Sequence, residues 1–182
     1  MHPYIAHFPL TFFMTTQALD ILYGLTTHPS TSALAHSIYD ARPFLADIAR
    51  ASHALNILGL LSAIPAAVAG GLQFLKLVQR QDVPGKLKAA GSADEKLHVA
   101  KRLHPKVKTA FVHAVLNDIV VIGAAWNWYS RRRNVMNAPS GLNVLVSVVT
   151  APILGFAAFL GGKMVFDYGV GVNLRGSWKK EE

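Results

Sequence analysis

The chain has 182 residues, 18 Lys and Arg against 10 Asp and Glu, a formal net charge of +8, 52% hydrophobic residues and only 15% charged ones. Soluble domains carry about a quarter charged residues, and here the few charges cluster in loops, which excludes an ordinary soluble protein and makes a multi-pass helical membrane protein the working class. The absence of cysteine excludes disulfides, thiolate metal sites, iron–sulfur clusters and a nucleophilic thiol.

The first apolar stretch, residues 4–25, carries no charge before Asp20. It lacks the basic start and cleavage site of a secretory signal, so it is expected to be a first span. Residues 26–47, rich in Ser, Thr and Pro, are expected to form a loop with a short interfacial helix. A second span covers about residues 48–78, where 25 residues between Arg50 and Lys76 are uncharged. That exceeds the ~20 residues needed to cross a hydrocarbon core. A polar connector follows over 79–108, with VPGK and AAGSADEK as turn signals. The third span, about 109–129, ends in Arg131, Arg132 and Arg133. NAPSG then stops one helix and starts the fourth span, about 142–162, in an uncharged run of 29 residues after Arg133. Residues 1–172 make a single domain, and 173–182 form a polar tail. No segment alternates like a barrel strand, so the expected fold is an all-α, antiparallel four-helix bundle in the membrane.

Four spans place the N-terminus, the connector and the C-terminus on one side, here side A, and the other two loops on side B. Side A carries 13 Lys and Arg and side B five, so the positive-inside rule favours a cytoplasmic or matrix side A, with the arginine triplet arguing the other way. The connector is expected to meet anionic lipid. Nucleic acid is not expected, since no binding motif is present. Gly59, Ala63, Ala67 and Gly71 make one small-residue stripe, and Ser147, Ala151 and Gly155 another. Such stripes let helices approach closely within the molecule or in an oligomer. Pro65 is expected to kink the second span.

Ionisable groups inside a span are functional-site candidates by default. Asp20 and Asp118 are the two acids so placed, and hydrogen bonding to a neighbouring helix is the alternative to proton transport. Asp118 is expected to pair through Asn117, Asn127 or a tyrosine, and Asp20 to lie near Tyr23 at side B. His7 and His113 fall at similar depth at side A on different helices, as two imidazoles holding a b-type haem would. Asn117, four residues from His113, shares its face and could orient the ring. A metal ion held by His2, His7 and His113, or by His104, is a second possibility. Interfacial hydrogen bonding or helix capping is a third. His53 enters from side B and is expected to form a local network with Asn56.

HPYIAHFPLTF at the start, VHAVLND in the third span, the NAPSG loop and the closing LGGKMVFDYGVGV together resemble the multi-pass membrane family catalogued as domain of unknown function 2231, in its fungal form. The resemblance runs from His2 to Val172. It maps onto His2, Pro3, His7, Phe8 and Pro9, onto His113, Asn117 and Asp118, and onto Gly161, Gly162, Gly169 and Gly171. It implies a four-span integral membrane protein and brings no settled activity. Related members joined to Rieske-like iron–sulfur domains imply a redox setting, which the lack of cysteine weakens here. Gly161 and Gly162 would admit a close backbone or a flat ligand.

The resulting expectation is a side-A histidine site binding haem b or a metal for electron transfer, with a redox partner or a second copy nearby. Against it stand a structural or partner-binding membrane protein without chemistry, and a proton-coupled carrier.

Overall fold

The computed structural model describes residues 2–80, 85–86 and 89–170. Among these the chain is helical, with no strand. Four helices are long: α1 (His2–Thr27), α3 (Leu45–Arg80), α5 (Pro105–Arg131) and α6 (Gly141–Phe166). Between them lie α2 (Ser32–Ile38) with a 3₁₀ turn (Arg42–Phe44), α4 (Ala93–Arg102), and a second 3₁₀ turn (Val135–Asn137). The helices outrun the expected spans at most of their ends and continue through Pro9, Pro65 and Pro152.

Three stretches are long and apolar enough to cross a membrane: Arg42–Arg80, Pro105–Arg131 and Val135–Phe166. α1 matches them in length and falls short in apolarity. The residues that lower it include Thr16, Gln17 and Asp20, all buried against other helices.

α1 packs against α3 and α6, and α5 against α3 and α6. The shared apolar centre is small: Phe13, Ala63, Val120 and Leu154. Around it the usual distribution of residues is inverted. Asp20, Ser52, Asn56, Asn127, Arg131, Asn143 and Ser147 are buried, while Ile64, Val68, Ile122 and Phe159 are each at least 60% exposed. In water this would waste apolar area and desolvate polar groups. In lipid it is the favourable arrangement, because only the protein interior offers polar groups a partner.

The small-residue stripe on α3 is used over half its length. A Cβ on Gly59 would lie 2.6 Å from the Phe13 ring, so glycine admits that ring. Ala63 is buried beside it, whereas Ala67 and Gly71 are exposed and Gly71 has open space before it. On α6, Ser147 is buried, but Gly155 faces outward.

Local signals set the helix ends. Ser140 caps α6 in a reciprocal capping box with Asn143, which satisfies donors that the first turn leaves free. His104 caps α5, its Nδ1 accepting from the Lys106 amide, with Pro105 in the first turn. Beyond α6, Gly169 adopts φ 61°. Its amide donates to Val165 and that of Val170 to Met164, the first being the 5→1 bond of a left-handed glycine ending.

Candidate functional site

The densest polar cluster lies at side B, inside the packed helices. Asp20 of α1 and Arg131 at the end of α5 are both fully buried and paired at 2.8 Å. The carboxylate also accepts from Ser52 of α3, and from Ser147 of α6 at 2.8 Å. One residue from each long helix thus meets at a single charge.

The guanidinium is held on other sides too. Nη1 also donates to Ser52 Oγ at 3.1 Å, Nη2 to the Ala49 carbonyl at 3.2 Å, and Nε to the Asn137 carbonyl at 2.8 Å. The last bond explains the NAPSG loop. Met136 and Asn137 both have left-handed φ, 55° and 54°, a conformation that asparagine tolerates and methionine adopts rarely. The loop therefore presents a backbone oxygen to Arg131, and Ser140 then starts α6.

The network continues through amides. Asn127 Nδ2 donates to Ser147 Oγ at 3.2 Å, and Asn143 Nδ2 to Asn127 Oδ1 at 3.0 Å and to Ser130 Oγ at 2.6 Å. Gln17 reaches Thr150 at 3.0 Å, and Asn56 donates to the Ala124 carbonyl at 2.9 Å. Asn56 and His53 do not form the expected pair. Among the described residues, Oδ1 of Asn56 and Nδ1 of His53 are buried without a hydrogen-bond partner.

At side A the two histidines have different surroundings. His113 on α5 donates from Nδ1 to the Ala157 carbonyl at 2.8 Å. That bond fixes the tautomer and leaves Nε2 as the acceptor nitrogen. Asn117 Nδ2 lies 3.3 Å from Nε2 and donates to the His113 carbonyl at 2.7 Å. The ring occupies the space over Gly161, where an added Cβ would sit 3.0 Å from Cε1. The His113 imidazole thus uses the gap at that glycine, and a Cβ added at Gly162 would meet nothing within 4 Å.

His7 is exposed on α1, whose main partners are α3 and α6 rather than α5. Depth along a helix leaves the direction around it open. The side chain of His2 and all of Gly171 lie outside the described residues. Asp118 is exposed rather than buried: it is one residue, about 100° of turn, beyond Asn117 on α5. His104 is engaged as a cap. Among the described residues no three His, Cys, Asp or Glu side chains gather as a metal site. At the same end Lys106 Nζ donates to the Tyr168 carbonyl at 2.8 Å, tying the start of α5 to the turn after α6.

Sequence reasoning missed Arg131, taken as a loop charge. The available signal was its sign and end: it lies at the membrane end where Asp20 needs a counter-ion.

No curated protein and no solved structure matches the chain. A family model described as "predicted membrane protein (DUF2231)" matches residues 1–174. With nearly the whole chain matched, three helices fit to cross a bilayer and polar groups gathered inside an apolar exterior, the protein belongs to this family of predicted membrane proteins.

Proposed function

We propose that the protein is a four-span membrane scaffold: an antiparallel helical bundle that holds its shape, and presents its surface to lipid or partners, without redox or transport chemistry. The carrying observation is the state of Asp20. This acid is fully buried and engaged by Arg131, Ser52 and Ser147. A transported proton or cation needs an acid that is alternately reached and released, whereas these bonds engage both oxygens of Asp20 and tie four helices together. Contacts supporting the four-span arrangement run in opposite senses along neighbouring helices: Phe13 to Gly59 and Asp20 to Ser52, or His113 to Ala157 and Asn127 to Asn143.

Electron transfer through haem b or a metal at His7 and His113 is the competing reading. His113 keeps Nε2 for a ligand, but its ring is seated over Gly161, and His7 is exposed on α1. The deciding experiment is the absorption spectrum of protein purified after expression with ample haem, with elemental analysis alongside. The expected spectrum has no Soret band and the preparation no stoichiometric metal. A Soret band abolished by His113→Ala would overturn the scaffold reading in favour of electron transfer. Proton flux in proteoliposomes that disappears in Asp20→Asn would overturn it in favour of a carrier.

A further inference from the structure

The loops at side B carry large apolar side chains that none of the described residues covers. α2 buries none of its residues. Leu34 and Ile38, one helical turn apart, are 69% and 81% exposed. Val135, in the turn before α6, is 83% exposed. Burying a Leu or Ile side chain is favourable, and a helix this short has little stability of its own in water. An aqueous setting gives this segment no reason to hold its shape.

The surroundings say what covers it. α2 follows α1 and packs on it, so it sits at the end where α3 begins and α5 stops. At that end Arg132 lies with its guanidinium 4.0 Å from the centre of the Tyr129 ring and 5.7 Å from that of Trp128. Aromatic rings beside arginine mark the headgroup level of a bilayer. The exposed apolar side chains of α2 thus lie at the end where helices apolar enough to cross a membrane begin and stop. Past α2, Asp40 and Arg42 form an exposed ion pair at 2.7 Å, which belongs in water.

From these placements we infer that α2 lies in the plane of the membrane at side B, with Leu34 and Ile38 inserted at the boundary between headgroups and acyl chains. Its occupant is lipid. Ala33, about 100° around the helix from Leu34, faces water. The segment thereby fixes the depth of the side-B end, in the manner of an amphipathic interfacial helix. The inference rests on the membrane-spanning reading of α5.

The chain has no cysteine, so single-cysteine variants report one position each. Leu34→Cys, Ile38→Cys, Ala33→Cys and Ile122→Cys are each labelled with an environment-sensitive fluorophore and reconstituted into phosphatidylcholine vesicles. Ile122, 68% exposed in the middle of α5, is the reference. Separate vesicle batches carry bromine near the headgroup end or near the methyl end of the acyl chains. Labels at positions 34 and 38 are expected to be blue-shifted, shielded from iodide, and quenched most by bromine near the headgroups. The label at 33 stays open to iodide, and that at 122 is quenched most by bromine near the methyl end. Iodide access at 34 and 38 equal to that at 33, with 122 still quenched by lipid, overturns the inference alone. Loss of lipid quenching at 122 overturns the spanning reading and the inference with it. Disulfide-linked dimers of unlabelled Leu34→Cys in the vesicles would assign this surface to a second copy and overturn the lipid assignment.

Discussion

At side B four helices converge on one carboxylate, with Asp20 accepting from Arg131, Ser52 and Ser147 and the guanidinium reaching on to the loop oxygen of Asn137. At side A an imidazole, His113, rests over Gly161 bonded to the Ala157 carbonyl, and Lys106 reaches the Tyr168 carbonyl beyond α6. Both ends join helices, by means of different strength and tolerance. A charge pair in a dry interior is costly to halve, because the surviving charge has no water to turn to. A ring on a glycine loses one hydrogen bond and some packing when changed.

The largest effect is therefore expected at side B. Arg131→Met alone, or Asp20→Leu alone, should cost about 3–5 kcal/mol, the penalty of stranding one buried charge. The double variant should recover most of this, since two apolar side chains replace the pair without leaving a charge. A double-mutant cycle of unfolding in detergent measures it. Equal losses in the single and double variants would show that the pair does not act as a unit.

The stripe on α3 sharpens the comparison at intermediate size. Gly59→Ala forces a Cβ to within 2.6 Å of the Phe13 ring and should cost about 1–3 kcal/mol as overpacking. Gly71→Ala, three turns on with nothing in the way, should gain up to about 1 kcal/mol from helix propensity. Opposite shifts in melting temperature are the expected result.

At side A, His113→Ala should cost about 1 kcal/mol, the scale of a net hydrogen bond. Gly161→Ala should be tolerated better in that variant than in the parent, because the ring it meets is gone. The same unfolding measurement tests this, and additive effects would show that ring and glycine do not interact.

The smallest effect is outside the membrane. Arg42 holds the Asp40 carboxyl down, from an ordinary 3.8 to about 2. A depressed carboxyl contributes its stabilisation above the unfolded value, and loses it as pH falls through the folded one. The loop pair should accordingly persist from neutral pH to about 4 and open between there and about 2. In Arg42→Ala the carboxyl should titrate near its ordinary value, as followed by carbon NMR of the side chain.

Much of the framework was legible because lipid imposes length and charge rules on a sequence. The helices at Leu45–Arg80, Pro105–Arg131 and Gly141–Phe166 follow from uncharged runs bounded by turn residues. The close approach at Gly59 and Ala63 follows from their spacing, and the cap at Ser140 from the composition of its loop. What could not be read was azimuth. His7 and His113 match in depth, yet one is exposed and the other turned toward α6. Asp118 differs from Asn117 by one step around the helix, enough to face outward. Arg131 stood in a triplet that reads as orientation. Its two neighbours remain exposed while it is fully buried, a distinction set by helix phase and by an acid 111 residues earlier.

The order of synthesis gives the Asp20 site a consequence of its own. α1 is made before the other three long helices and is more polar than the three stretches fit to cross a membrane. The groups that neutralise it arrive late: Arg131 is made 111 residues after Asp20, and Ser147 is made 127 residues after it. Until then α1 carries an acid without its counter-ion. An unfinished or truncated chain therefore carries its own mark, an unpaired acid in α1, which only completion of α5 and α6 removes.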